Sequence, residues 1–376
     1  MESVHTSLLQ PLRPPKRLSR PHPCHVSLKD TNMAIASSLM EVKECEAMDI
    51  YIPEEWSEVA DVIACSGGQT QTLTTFVCGP KNSGKSTFAR HLLHVLLRRH
   101  KRVAYLDSDV GQPEFTPPRC LSLTVLDRET IDMRVQPERD PEIYLTYIFA
   151  LYDHYLKQHY QLSTSASPSS SGVPLIINTS GWVKGIGYDV LVDMLKHIAL
   201  SHVVNICISA KSKNLPSRAF WSQDGEAGAI TLIEINSARQ DSLNRSVLVH
   251  KDSRHLRDLS IVTYFRQCFP SDMNMRSVKE IAQALAAHPP YEVSVSAVNI
   301  KQLHCEVPKA EIFYSLNASI VGLAVDPEGS GHLPRCVGLG IVRGIEHFEM
   351  DSYLFAAGSW IRFTVHGFEC PPRDLK

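Results

Sequence analysis

The chain has 376 residues, 43% of them hydrophobic and 21% charged, with a formal net charge of -2. This is ordinary for a soluble globular protein, and it argues against one that coats nucleic acid through a whole-molecule basic field, so any nucleic-acid surface must be local. Ten cysteines occur without a C-x-x-C pair, so neither a zinc ribbon nor a dithiol redox motif is readable and reduced thiols in an intracellular compartment are expected. The longest apolar stretches fall short of the ~18–20 residues that cross a bilayer, and a soluble protein of two or three domains is expected.

In chain order, residues 1–45 read as a disordered, basic and proline-rich tail. Its Arg13, Lys16, Arg17 and Arg20 suit a nuclear-targeting patch, an organellar transit segment or a tail with no address. Residues 46–71 read as a short remnant of an N-terminal region, with Tyr51–Cys65 as a short strand or ordered entry segment. From Thr72 the texture changes. Thr72–Cys78 is β-branched and apolar, a glycine-rich turn follows, and Ser86–Arg99 places Phe88, Leu92, Val95 and Leu96 on one helical face. Cations from Arg98 to Arg102 suit the negative end of that helix.

Val103–Asp107 is a second buried-type strand, Glu142–Gln158 a helix, and residues 163–172 a serine-rich surface insertion. Strand, helix and strand follow at Val173–Thr179, Tyr188–Leu200 and Val203–Ser209. Near-continuous apolar strands alternating with helices predict an α/β fold: a P-loop NTPase-type parallel sheet with helices on both faces over residues 72–286. Short β-rich runs at Glu292–Val298, Ile320–Val325 and Val337–Val342 predict a small C-terminal β-rich domain over 287–376.

Gly79-Pro80-Lys81-Asn82-Ser83-Gly84-Lys85-Ser86 fits G-x-x-x-x-G-K-[ST] at every fixed position. The glycines let backbone N–H groups converge on phosphate oxygens, and the following helix adds its positive end. Lys85 is expected to reach the β- and γ-phosphates, Ser86 to ligate Mg²⁺, and Thr87 to sit near the α-phosphate. The second strand closes with Asp107-Ser108-Asp109, two carboxylates at the edge where open α/β sheets bind ligands. One suits the Mg²⁺ shell and one the proton of an attacking hydroxyl.

Asp109-Val110-Gly111-Gln112 with Phe115-Thr116-Pro117-Pro118, and then Asn178-Thr179-Ser180-Gly181-Trp182-Val183-Lys184-Gly185, resemble the RNA polynucleotide 5′-hydroxyl kinases. Leu316–Val321 and Gly338–Ile345 are similar to the branch of that family that acts in the nucleolus on pre-ribosomal RNA. The resemblance runs from about Thr72 to Glu346. It implies ATP and Mg²⁺ as cofactors, an RNA with a 5′-hydroxyl end as substrate, RNA-processing protein partners, and a nuclear, nucleolar location.

By the same resemblance Asp109 acts at the metal and as general base, and Thr179, Gly181 and Trp182 line the acceptor site. Trp182 also offers a face on which a terminal base stacks, and Gln112 suits either a ligand-orienting role or a buried structural amide. The family's arginine-bearing lid maps near 211–257, with Arg254 and Arg257 three residues apart on one helical face and Lys211 and Lys213 as alternatives. The chain departs from the family in two respects. Only some seventy residues precede the cradle where a sizeable β domain is usual, so a shortened form of a longer protein is expected. Arg119 and Cys120 follow Pro117-Pro118 where a glycine is more usual. Beside the kinase stands a reading from another class, an ATP-binding scaffold of an RNA-processing complex. A GTPase switch lacks its guanine-specifying N-K-x-D, since Asn214 follows Lys213 in the wrong order.

Overall fold

The computed structural model describes residues 4–8, 52–66, 72–126, 130–135, 141–159, 172–216, 221, 230–238, 253–270, 273, 275, 277–302, 307–308, 311–325, 335–346 and 360–365. The chain divides into two compact units, one of Asp49–Lys251 and one combining Met1–Met48 with Asp252–Lys376. By packing, the helices that follow Lys251 fall in the unit of the C-terminal strands.

Strand β1, Val4–Leu8, belongs to the second unit. The first unit opens with helix α1 (Glu54–Cys65), then β2 (Thr74–Cys78), α2 (Lys85–Leu97), β3 (Val103–Asp107), β4 (Cys120–Leu126), β5 (Thr130–Val135), α3 (Pro141–Gln158), β6 (Leu175–Asn178), α4 (Ile186–His197), β7 (His202–Cys207) and β8 (Thr231–Asn236). Its sheet runs β5-β4-β3-β6-β2-β7-β8. The five strands from β3 to β8 are parallel, and β4 and β5 join antiparallel. The sheet is therefore mixed rather than all parallel. The hairpin of β4 and β5 lacks a glycine-marked turn, which is why no strand signal is read there.

Parallel strands buried on both faces need an apolar side chain at nearly every position. Val77, Tyr105, Ile176 and Val204 face a core made with Trp56, Phe88, Leu92 and Leu96 of α1 and α2. The alternate positions Phe76, Leu106, Ile177 and Val203 are fully buried too, and α3 packs on β3, β4 and α4. Tyrosines of α3 keep their polar ends satisfied: Tyr144 and Tyr155 each donate their hydroxyl at 2.7 Å, to the carbonyls of Ser108 and Val173.

Helix α1 occupies the stretch read as a short strand or ordered entry segment; it is ordered, and helical. Pro53 precedes two acidic residues in the first turn, and Trp56, Ala60, Ile63 and Ala64 form one buried stripe. That spacing is helical, and it is short enough to be lost against the charged positions between.

In the second unit, α5 (Ser253–Arg266), α6 (Val278–Ala287), β9 (Tyr291–Ser294), β10 (Val298–Gln302), α7 (Ile312–Leu316), β11 (Ile320–Val325), β12 (Arg335–Glu346) and β13 (Trp360–Val365) follow. Strand β1 pairs parallel with β10 and antiparallel with β11; β11, β12, β13 and β9 continue antiparallel. Val4–Leu8 thus departs from the unstructured tail expected for 1–45: five residues, three of them polar, fill a sheet position that no local signal announces. Ser277 and Glu280 form a capping box at the start of α6, satisfying two otherwise orphaned N–H groups. Leu316, Val321, Leu323 and Val342 form this unit's small core. The serine-rich stretch lies outside the described residues apart from its last glycine, as does most of the stretch matched to the lid between β8 and α5.

Trp56 is fully buried, stacks edge-on against Phe88 with centroids 5.6 Å apart, and donates its indole N–H to the carbonyl of Asn236 at 2.8 Å. Trp56→Ala is expected to lower stability by about 3–5 kcal/mol, read from urea unfolding. A loss under ~1 kcal/mol would show that α1 contributes little to this core.

Candidate functional site

The ends of β2, β3 and β6 lie side by side, with Val77 and Asp107 both in register with Asn178. Everything that follows these three strand ends emerges at one edge. From β2 comes the turn Gly79–Gly84. Gly79 has φ +143°, and a Cβ on it would lie 2.4 Å from the carbonyl oxygen of Ile206. Gly84 has φ +99°, and its Cβ would lie 2.7 Å from Cη2 of Trp56. Both positions exclude a side chain on two grounds, conformation and space. Asn82, also left-handed at φ 62°, is a residue type that tolerates that region.

Pro80 and Ser83 are buried beside exposed Lys81 and Asn82, and Ser86 and Thr87 are half-buried at the start of α2. Lys85 is buried and donates Nζ to the carbonyl of Pro80 at 2.9 Å. Burial lowers its pKa, and the opposing field of Asp109 partly restores it. The hydroxyl of Ser83 is buried without a hydrogen-bond partner. Cys78, beneath the turn, is pushed up to about 12 by burial and stays a thiol.

The two carboxylates of the second strand are unlike each other. Asp107 is fully buried and accepts from the N–H groups of Asp109 (3.1 Å) and Glu114 (2.7 Å) and from the side-chain amide of Asn178 (3.1 Å). Burial pushes its pKa up to about 7 against these three donors. Asp109 is half-buried, and its carboxylate accepts from the N–H groups of Gly111 (3.0 Å) and Gln112 (3.3 Å). Gln112 contributes here through its backbone. Its side chain is exposed, so it is not a buried structural amide.

From β6 comes the turn Thr179–Gly185. Thr179 is buried and donates its hydroxyl to the carbonyl of Val77 at 2.9 Å, which ties the turn to β2. A Cβ on Gly181 would lie 2.6 Å from Cα and 2.7 Å from the nitrogen of Lys81, so this turn and the phosphate cradle touch backbone to backbone. Trp182 follows and is 45% exposed. Its ring leans on Tyr144, 5.9 Å between centroids, and a Cβ on Gly187 would strike its own Cβ at 2.3 Å. An aromatic face held open to solvent beside the cradle is not a core filler.

Arg119 sits in the left-handed region, φ 74°, with its N–H on the carbonyl of Val110 at 2.7 Å. This backbone conformation explains why a glycine suits the position better. Asn214 is spent on the backbone of Ile208, accepting from its N–H at 2.9 Å and donating to its carbonyl at 2.8 Å, and so is not free to read a base. Lys211 and Lys213 are exposed on a 3₁₀ turn after β7. Arg254 is exposed and Arg257 half-buried in the first turn of α5, a helix of the other unit.

Three contributors carried no assigned role on sequence grounds: Asn178, Trp56 and Tyr144. Asn178 was detectable as the residue level with Asp107 at the end of the neighbouring parallel strand. Trp56 was detectable from the helical spacing of its apolar neighbours. Tyr144 gave no sequence signal, since it looks like any core aromatic of an amphipathic helix.

A glycine-lined turn between a buried strand and a helix, with lysine and carboxylates converging on it, defines a P-loop nucleotide-binding protein. A family model described as "mRNA cleavage and polyadenylation factor CLP1 P-loop" matches residues 79–267, and one described as "NOL9-like, C-terminal domain" matches 286–362. The chain is 49% identical over 322 residues to an Arabidopsis thaliana protein named polynucleotide 5′-hydroxyl-kinase NOL9, covering 81% of this chain and 86% of that one. Namesakes from Danio rerio and Homo sapiens are 33% and 29% identical, each over 72% of this chain. The chain spans only 41% and 44% of their lengths. A solved Clp1p–Pcf11p complex shares the fold, with a TM-score of 0.53, 12% identity, and coverage of 84% of this chain and 76% of that one. The chain belongs to the polynucleotide 5′-hydroxyl-kinase family built on the CLP1-type P-loop.

Two expectations follow from this geometry. Gly181→Ala is expected to push the two turns apart and cut phosphoryl transfer at least ten-fold, with thermal stability falling by only a few degrees. A variant with full activity in steady-state assays would show that the turns accommodate the extra carbon. For Asp107, a folded-state value near 7 against 3.8 for the free group means that the native state binds more protons than the unfolded state between those pH values. This group therefore makes stability fall as pH rises from about 4 to 7. Asp107→Asn is expected to flatten that slope, read from urea midpoints at pH 5 and pH 8 without nucleotide.

Proposed function

We propose that this protein transfers the terminal phosphoryl group of ATP to the 5′-hydroxyl of an RNA, within ribosomal RNA processing in the nucleolus. The observation that carries the reading is the contact of Gly181 with Lys81. It joins the cradle that suits a triphosphate to a turn that presents an exposed aromatic face. A nucleotide-only ATPase has no use for that second surface.

The residues present fit ATP with Mg²⁺. The two glycines let the turn close against the Ile206 carbonyl and the Trp56 ring in a left-handed backbone that any Cβ would block, and the unpartnered Ser83 hydroxyl is a donor facing no acceptor. Ser86 and Asp109 offer the hard oxygen ligands that Mg²⁺ takes. When bound there, Mg²⁺ neutralises charge on the triphosphate. Lys85 leaves the Pro80 carbonyl for the β- and γ-phosphates. Its partial burial strengthens that interaction, because little water competes.

Asp109 accepts or orients the proton of the incoming hydroxyl. Its carboxylate is held by two backbone N–H groups, so it is aimed before substrate arrives. Trp182, propped by Tyr144 and Gly187, stacks the terminal base and so sets the direction of approach. Thr179 and Gly181 act by holding that turn against β2 and the cradle, while Gln112 fixes Asp109 through its backbone. The lid role that the family resemblance implies for Arg254 and Arg257, planar cations three residues apart on α5, suits the spread charge of a moving phosphoryl group. RNA-processing protein partners are part of the proposal. The solved neighbour named above is itself a complex with a protein.

Lys85→Ala and Asp109→Ala are each expected to reduce end-labelling of a 5′-hydroxyl RNA oligonucleotide by more than a hundred-fold while the melting temperature stays within a few degrees. Undiminished labelling by either variant removes that residue from the mechanism. Tight ATP retention by the wild-type chain with no transfer to RNA or DNA would favour the scaffold instead.

A further inference from the structure

Asn178 is the last residue of the strand between the cradle strand and the acid-bearing strand, and it is level with Asp107 on one side and Val77 on the other. Side chains level with each other on adjacent parallel strands point to the same face, so the register alone sets this amide against the Asp107 carboxylate. The side chain is completely buried. Its Nδ2 donates to Oδ1 of Asp107 at 3.1 Å and to Oγ of Ser86 at 3.3 Å. One amide thus spans from the end of β3 to a hydroxyl in the first turn of α2.

Its other end is unsatisfied. Oδ1 of Asn178 is buried and has no hydrogen-bond partner. An orphaned buried acceptor costs roughly 1–3 kcal/mol, so its persistence at a site points to a ligand that supplies a donor. Reversing the amide does not relieve it, because Oδ1 would then face the Asp107 oxygen. Triphosphate oxygens do not relieve it either, since they are acceptors themselves. A hydrated divalent cation brings donors in its water shell, and Mg²⁺ in particular keeps several of its waters.

We infer that Asn178 is a further positioning residue of the phosphoryl-transfer site: its amide nitrogen holds the Ser86 hydroxyl in line with Asp107, and its amide oxygen receives the water shell of the cation that accompanies the nucleotide. The inference rests on the proposed function only in needing a metal-bound nucleotide. Asn178 touches no reacting atom. It fixes the ligand that does, as outer-shell groups of metal sites do.

The test is calorimetric titration of the full chain with ATP, with and without Mg²⁺. For the wild type, Mg²⁺ is expected to tighten ATP binding, and Asn178→Ala is expected to lower the ratio of the two affinities about ten-fold. Should Asn178→Ala fail to fold, Asn178→Ser, which keeps a polar group on a shorter side chain, carries the same expectation. A merely structural asparagine weakens both affinities together and leaves the ratio unchanged; that result overturns the inference. A ratio unchanged because neither affinity moves overturns it equally. Failure of the wild type to bind ATP under either condition would strike the nucleotide-binding reading itself, a separate outcome from an unchanged ratio.

Discussion

The alignment of three strand ends is the constraint from which the site follows. In a parallel sheet the carboxyl ends of neighbouring strands share an edge, and here the central strand of the three stands level with both partners. The cradle, the paired acids and the aromatic turn therefore need no long-range folding device to meet. They are what the chain does next after each of three adjacent strands. The buried apolar faces supply the rigidity, since nearly every side chain of these strands is shielded from water and close-packed interiors do not yield continuously.

That rigidity is used to hold groups in states they would not choose in water. The lysine of the cradle is desolvated, and so is the inner carboxylate. Their pKa values move in opposite directions, down for the amine and up for the acid. Each is under-compensated within the protein, and the nucleotide and cation proposed above carry charges of the matching kind. The outer carboxylate stays half-buried and backbone-anchored. The two acids, separated by one residue, thus differ in burial and in how they are anchored.

Much of this was legible in the residue order, because the motifs are local. The turn from Gly79 to Ser86 carries its own conformational requirements, and the apolar strands with their intervening helix announce a parallel sheet. What escaped was whatever depends on a partner distant in sequence. Trp56 makes sense only beside Gly84, Tyr144 only beside Trp182, and Asn178 only once the order β3-β6-β2 is known. Strand β1 escaped for the same reason, since its pairing with β10 and β11 is written nearly three hundred residues away. The placement of α5 with the C-terminal strands was equally invisible, because division into units reflects density of packing rather than any local sign. At Arg119 the sequence did carry a warning, an arginine where glycine is more usual, and the positive φ there supplies its physical content.

The contact between Gly181 and the backbone of Lys81 has a bearing on how such an enzyme diversifies. In the proposed reaction, the turn on the donor side and the turn on the acceptor side meet at this contact, with no room for a side chain at Gly181. Any drift that enlarges the room for a bulkier terminal nucleotide takes that room from the phosphates, and the reverse holds as well. Changes of acceptor preference in this lineage are then expected to travel with compensating changes across the contact, so that the two halves of the reaction evolve as one inherited block.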